Sequence, residues 1–499
     1  METHTSLKAV VLPWLAMGHL IPFLELSKCL AKKGIKVYFI TTPKNIARLP
    51  KIPLDLSSNL SLISSPLPHL EGVPNEAESS MDVPPTMQPK LKMRFDLLRD
   101  CTAGLLEDLR PDWVIYDFTS HWIPSLSAKV GASCAYLALF NAASLTYLGP
   151  PCELIGNYRS TPEDFAVVPR WVPMEMESKI TYHLHEVVKL LHSVDEDMGT
   201  PDTVRFGSSI EGCDFVCIRS AYEFESKWLE LLSKLYGKSI IPIGFLFPNF
   251  DEFDGGEKWV LLESWLDKQE KDSVLYVALG SESPPSQEEL TELAHGLEHS
   301  NLPFLLVLRD LPGSTRFVLD MLPNGFLDRV SDRGLVHFGW APQVKILSHP
   351  SIGGFLTHCG WNSVIEGLGL GRVLVLFPIM NEQGLVARMV AGKRLGVEVA
   401  RDEPDGSLRW ESVTKAIRLA MVEKEGEELR ANARKMKVDF ATSSQNHCIG
   451  AKEGKMTASL DKVDDTERNQ QNKQGQLGCP TGGACLWLSA LVSLASTGY

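Results

Sequence analysis

The sequence is short of positive charge, of paired cysteines and of long apolar runs. Lys and Arg total 49 against 62 Asp and Glu, a formal charge of −13. That balance excludes nucleic acid as the main partner, because neutralising phosphates takes clustered cations. The ten cysteines include no CxxC, and the closest pairs, Cys213/Cys217 and Cys479/Cys485, have neither metal-ligand spacing nor the look of a disulfide framework. A reducing, cytoplasmic setting fits. No stretch reaches the ~18–20 apolar residues a membrane-spanning helix needs, so stable membrane insertion is not expected. The apolar Ala9–Leu12 is soon interrupted by Pro13, His19 and Pro22, which reads as a first β-strand and not a signal peptide.

What is present is an ordinary globular composition, 44% apolar and 22% charged in 499 residues. At about 150 residues per domain the length allows two to four domains, and large α/β units reduce that to two. The chain opens on the rhythm of a doubly wound parallel sheet. Ala9–Leu12 is a strand, a helix starts at Pro22 and closes at Gly34, and Val37–Thr41 is the next strand. Trp113–Tyr116, Ala135–Ala138, Phe215–Ile218 and Ile240–Ile243 continue the set. A second α/β set has candidate strands at Val274–Leu279, Phe304–Leu308, Leu335–Phe338, Gly354–Thr357, Val373–Phe377 and Val397–Ala400. The fold class is therefore α/β, with an N-terminal domain over 1–245, a linker over 246–262 and a second domain over 263–441. The tail, 442–499, is rich in Lys, Gln, Asn and Gly without amphipathic period, and is expected to be disordered.

Ligands of doubly wound sheets bind beyond the carboxyl ends of the strands. His19, in the loop after the first strand, and Asp117, directly after Trp113–Tyr116, map to one such rim. An imidazole is a base near neutrality, and a carboxylate behind it fixes its tautomer and steadies the imidazolium. The pair also fits a plain loop histidine and a helix-capping aspartate. The densest constellation runs from Trp340 to Gln383. There Gly354–Thr357 is a strand, His358-Cys359-Gly360 a tight turn, and Trp361–Leu368 a helix whose free N–H groups and dipole suit a diphosphate. Asn362 and Glu366 share a helical face. Glu366 can accept from the paired hydroxyls of a ribose, and Trp340 offers a flat face to a base. Glu382 and Gln383 follow the next strand and reach the same rim. Taken singly, each also fits a core tryptophan or a solvated helix residue. Gly280-Ser281 presents either an N–H and a hydroxyl to a phosphate or a simple strand-end turn. Gly367-Leu-Gly369-Leu-Gly371 has the wrong spacing for a dinucleotide fingerprint and follows a helix, which rejects NAD. No His/Cys cluster has ligand spacing, so no metal is expected.

The 44 residues Trp340–Gln383, with their WAPQ opening, HCGWNS centre, Glu366 and closing Gln383, closely resemble the signature of plant family-1 UDP-sugar-dependent glycosyltransferases. LPWLAMGHLIPF and Tyr116-Asp117 resemble that family too, over roughly residues 7–441. The resemblance implies a GT-B fold, two facing Rossmann-like domains with the active site between them. It implies His19 as general base with Asp117 as its partner. It implies Trp340 stacked on uracil, and Ala341 and Gln343 on the uridine. The diphosphate falls to Ser281, His358, Asn362 and Ser363 at the Gly360-Trp361 turn, the ribose to Glu366, and the sugar to Glu382 and Gln383. UDP-sugar is then a co-substrate, with no separate cofactor, and the acceptor a small hydrophobic or glycosylated molecule held by loops near 75–95 and 150–200. A monomer is expected. Gly212–Ser220 with Tyr222–Glu225 and Gly280–Glu282 resembles a subgroup that extends sugars on flavonoid, steroidal or terpenoid glycosides. Two departures stand out: Val373 replaces the usual proline, and the family-like sequence fades near Ala441, before the usual terminal helix that packs back on the first domain. The competing classes are a UDP-sugar epimerase or hydrolase and a non-catalytic binder.

Overall fold

The computed structural model describes residues 6–446, apart from 157, 160, 177, 193–198, 249–255, 281–284, 311–316 and 404. Two parallel sheets carry the chain. The first contains β1 (Lys8–Leu12), β2 (Lys36–Thr41), β3 (Leu60–Ser64), β4 (Trp113–Tyr116), β5 (Ser133–Ala138), β6 (Phe215–Ile218) and β7 (Ile240–Pro242), in the order β3-β2-β1-β4-β5-β6-β7. The second contains β8 (Val274–Ala278), β9 (Phe304–Leu308), β10 (Gly334–Phe338), β11 (Ile352–Thr357), β12 (Val373–Leu376) and β13 (Gly396–Glu398), in the order β10-β9-β8-β11-β12-β13. Helices connect successive strands, so this is the pair of Rossmann-like α/β domains expected. Val373 begins β12 without disturbing it, and pairs with Gly354 in register. The middle of the linker expected over 246–262 lies outside the described residues, and the helix Gly256–Leu266 takes up its second part.

The sequence forms these strands because both faces of each sheet are covered. Ala9, Val10, Val11 and Leu12 of β1 are all at most 1% exposed, as are Val274, Leu275, Tyr276 and Val277 of β8. Such strands read as unbroken apolar runs. β3 is the strand those runs do not mark. It lies at the sheet edge, and only Leu60 of its five residues is buried.

In each sheet the strand order reverses at one place. β1 lies between β2 and β4, with Leu12 level with Tyr116. β8 lies between β9 and β11, with Ala278 level with Thr357. These are the switch points where doubly wound sheets open a crevice beyond their strand ends. His19 and Asp117 follow the first switch point; Gly280 and His358 follow the second.

Two expectations change. The helix expected to start at Pro22 spans Met17–Lys32, with Pro22 inside it and His19 in its first turn. That turn escapes a search for apolar period because Met17, Gly18 and His19 line a cavity, only Met17 of the three also packing against the core. At the other end, the helix Glu427–Asn446 runs past the expected break at 442. It carries Phe440, 4% exposed, onto Phe245 (ring centroids 4.1 Å apart), Phe247 (5.8 Å) and Phe224 (6.1 Å) of the first lobe and its exit. An apolar bridge between the lobes is therefore present before the tail begins. Residues 447–499, and with them the expected disorder, lie outside the described residues.

Phe440→Ala is predicted to lower stability by about 3 kcal/mol, the usual cost of emptying a buried phenylalanine site. Urea denaturation followed by tryptophan fluorescence checks this. An unchanged midpoint would show that the aromatic bridge does not hold the lobes.

Candidate active site

Asp117 is 1% exposed and its carboxylate accepts three hydrogen bonds. Oδ1 takes the Phe118 N–H (2.8 Å), and Oδ2 takes the Trp14 N–H (3.1 Å) and the Nδ1–H of His19 (2.6 Å). Two backbone donors from the loops after β1 and β4 thus fix the carboxylate, and the carboxylate fixes the imidazole. With Nδ1 donating its proton to Asp117, Nε2 carries the ring's basic lone pair. The His19 ring sits against Phe118 (6.0 Å) and Phe140 (6.3 Å).

The second lobe brings β11 to a sharp turn. Cys359, fully buried, has φ 69°, a conformation that costs an L-residue about 1–2 kcal/mol. The turn aims Gly360 into the start of the helix Trp361–Gly369, which has no side-chain cap and no acidic residue in its first turn. Its leading N–H groups therefore remain for an anion. His358 packs its Nε2 so close to Gly280 and Gly360 that a Cβ on either would fall 2.7 or 2.5 Å from it. Burial pushes the His358 imidazole down to about 4, so the ring is neutral at physiological pH. Its Nδ1 is buried and unpartnered.

Along the same helix, Glu366 Oε2 accepts from Gln343 Nε2 (2.7 Å), which also reaches Ser363 Oγ (3.1 Å). Burial raises the Glu366 carboxyl, against the opposing pull of Gln343 and of Arg219. Trp340 is 46% exposed with its ring at the cavity wall, beside the buried Ala341. Gln383 Oε1 accepts from the N–H groups of Ile379 (2.9 Å) and Met380 (3.0 Å), so its carboxamide oxygen ties down the loop after β12 and its Nε2 is the end left to a ligand. Glu382 stands beside it at the helix N-cap.

One cavity of about 750 Å³ joins these groups, lined by His19 from the first lobe and by Trp340, Ala341, Gln343, His358, Gly360, Trp361, Asn362, Ser363, Glu366, Glu382 and Gln383 from the second. Asp117 stands behind His19, and Ser281 lies outside the described residues. On the first-lobe side the floor is apolar, with Trp14, Phe118, Phe140, Leu148, Leu154 and Phe206, and the rim is polar, with Gln88, an ion pair between Lys92 and Asp202, and Thr203. Trp361, expected at the donor, is turned more to the other lobe: its indole N–H donates to Arg219 O (2.9 Å) and its ring lies against Phe224 and Phe245.

Arg219 is the residue that reading the sequence missed. It follows β6 as Asp117 follows β4, so the same strand-end rule would have flagged it. Its side chain is buried (1% exposed) and lines the cavity. It donates to Phe245 O, Leu246 O and Asn362 Oδ1. Burial pulls the guanidinium down to about 10. Among the described residues no group of three His, Cys, Asp or Glu side chains is placed to hold a metal ion, and no helix is long and apolar enough to cross a membrane.

An uncapped helix start facing a histidine–aspartate pair across a cleft suits group transfer from an anionic donor, and comparison with known proteins points to the family. Residues 258–421 match the family described as UDP-glucoronosyl and UDP-glucosyl transferase. UDP-glycosyltransferase 91C1 of Arabidopsis thaliana is 53% identical over 436 residues, 87% of this chain and 93% of its own. Soyasaponin III rhamnosyltransferase of Glycine max is 39% identical over 444 residues, 87% and 92% of the two chains. The crystal structure of Glycyrrhiza uralensis UGT73P12 complexed with glycyrrhetinic acid 3-O-monoglucuronide superposes with a TM-score of 0.72 at 23% identity, over 94% of this chain and 98% of that one, which shows the shared GT-B fold. The chain belongs to the UDP-glycosyltransferase family.

Because His358 binds its last proton only near pH 4 when folded and near 6.5 when unfolded, the unfolded state takes up more protons between those values. Stability from this group is fully present above pH 6.5 and is lost as pH falls toward 4, by roughly 3 kcal/mol at most. His358→Gln is predicted to flatten the fall in thermal midpoint between pH 6.5 and 4.5. Parallel curves for the variant and the parent would contradict the buried neutral imidazole.

Proposed function

We propose that this UDP-glycosyltransferase carries out inverting transfer of a hexosyl, rhamnosyl or xylosyl group to a hydroxyl of a small plant metabolite of the flavonoid or terpenoid class, or of its glycoside. The observation that carries the reading is the single cavity with a carboxylate-backed imidazole on one wall and an uncapped helix start on the other. His19 Nε2 takes the proton of the acceptor hydroxyl, and its oxygen attacks the anomeric carbon from the face opposite the diphosphate. The carbon–oxygen bond to the diphosphate breaks, and UDP leaves with that electron pair. The Asp117 carboxylate, held by its three donors, steadies the imidazolium as it forms.

The charge growing on the departing diphosphate meets the leading N–H groups of the helix Trp361–Gly369, the Ser363 hydroxyl, and the neutral His358 ring as a hydrogen-bond donor. Trp340 stacks on the uracil, Gln343 and Ala341 hold the uridine, Glu366 takes the ribose hydroxyls, and Glu382 and the Nε2 of Gln383 face the sugar. No metal and no separate cofactor takes part in this scheme. An apolar floor under a polar rim of Gln88, Lys92, Asp202 and Thr203 suits an amphiphilic acceptor, apolar in its core and hydroxylated at one end. The relative named for rhamnosyl transfer to soyasaponin III supports the same class and keeps rhamnose among the donors. We place the enzyme in the cytoplasm as a monomer.

His19→Ala is predicted to lower transfer by roughly 10²–10⁴-fold, the usual contribution of a positioned base, while UDP binding in calorimetry is kept. The assay is mass-spectrometric, with UDP-glucose, UDP-rhamnose and UDP-xylose against pooled plant phenolic and terpenoid glycosides. Retained turnover would remove His19 from the mechanism, and donor loss without acceptor would favour a hydrolase or epimerase.

A further inference from the structure

Pro22 stands in the interior of the helix Met17–Lys32. A proline there gives no N–H to the carbonyl four residues back, and its ring presses that carbonyl away from the helix axis. The carbonyl belongs to Gly18, next to His19. It is met from the other lobe: Asn362 Nδ2 donates to Gly18 O at 2.7 Å. Only a glycine admits this approach comfortably, since a Cβ on residue 18 would stand 3.0 Å from that nitrogen. The other end of the same carboxamide, Oδ1, accepts from the buried Arg219 guanidinium, which is itself held by the Phe245 and Leu246 carbonyls. Arg219 thereby fixes which end of Asn362 faces Gly18.

We propose that Gly18 and Pro22 are positioning residues. The proline turns the Gly18 carbonyl outward, Asn362 takes it, and this one bond sets the distance between the base on residue 19 and the helix start that receives the diphosphate. The inference rests on the assignment of His19 as base, and it adds what holds that base in register with a donor bound by a different domain. A shift of about 1 Å between reacting groups is enough to cost on the order of a hundredfold in rate.

Pro22→Ala tests this without endangering the fold, because it returns an N–H to the helix interior. We expect an undiminished thermal midpoint, unchanged UDP affinity in calorimetry, an unchanged pH profile of kcat/KM, and a kcat lower by about tenfold to a hundredfold. In an Asn362→Ala background the same substitution should have no further effect on kcat. Unchanged kcat for Pro22→Ala, or an equal loss in both backgrounds, would overturn the proposal. Should Pro22→Ala not fold, Gly18→Ala is put through the same cycle with the same two outcomes. A readout that needs no turnover separates this from the functional reading. Asn362→Ala should speed hydrogen–deuterium exchange in residues 17–22, and protection as in the parent would overturn the positioning role even if no acceptor is ever found.

Discussion

The carboxamide of Asn362, bonded at one end to Gly18 and at the other to Arg219, is the contact on which the working geometry depends. The imidazole that can act as base belongs to one sheet, and the helix start that can receive an anion belongs to the other. Neither sheet alone contains a site. Arg219 makes the contact demanding. Its guanidinium is buried and its hydrogen bonds go to neutral oxygens, so removing an acceptor from it would leave a buried charge short of compensation. Trp361 closes the same junction by giving its indole N–H to the Arg219 carbonyl. The aromatic cluster around Phe245 and Phe440 adds non-directional burial beside these directed bonds.

The two halves of the cleft handle charge differently. The first lobe sets one carboxylate, Asp117, among three hydrogen-bond donors behind the imidazole. At the helix start the second lobe offers dipoles, while its Arg309 and Lys345 line the cavity as well. His358 is kept neutral by burial, the helix start presents N–H groups, and the Arg219 guanidinium reaching it from the first lobe is spent on carbonyl and carboxamide oxygens. Preorganised dipoles stabilise charge as it develops without holding the product as tightly as a bare cation would. That suits a leaving group that must then depart.

Much of the fold could be read from residues, and the exceptions share a cause. Apolar runs mark strands wherever both sheet faces are covered, so the edge strand Leu60–Ser64 escaped. The helix at Met17 began five residues before the pattern suggested because its first turn lines a cavity. The break expected near 442 came from composition, which does not register that the helix anchored by Phe440 continues to Asn446. In the site, strand-end position brought out His19 and Asp117, and the dense segment Trp340–Gln383 brought out one wall of the cavity. Arg219 stands at a strand end that the same rule covers, but its role and that of the Gly18 carbonyl stayed hidden for a different reason. Their roles arise from contacts between domains some 140 and 340 residues apart in the chain, and in Gly18 the working atom is backbone, which no residue type advertises.

In the proposed scheme the group that attacks the anomeric carbon is the acceptor oxygen activated by His19, which makes the transfer a single displacement. The anomeric configuration of the product, read by proton NMR after transfer from an α-linked UDP-sugar such as UDP-glucose, tests that directly. The account predicts β-linked product alone. An α-linked product would require a covalent or front-face route and would contradict it.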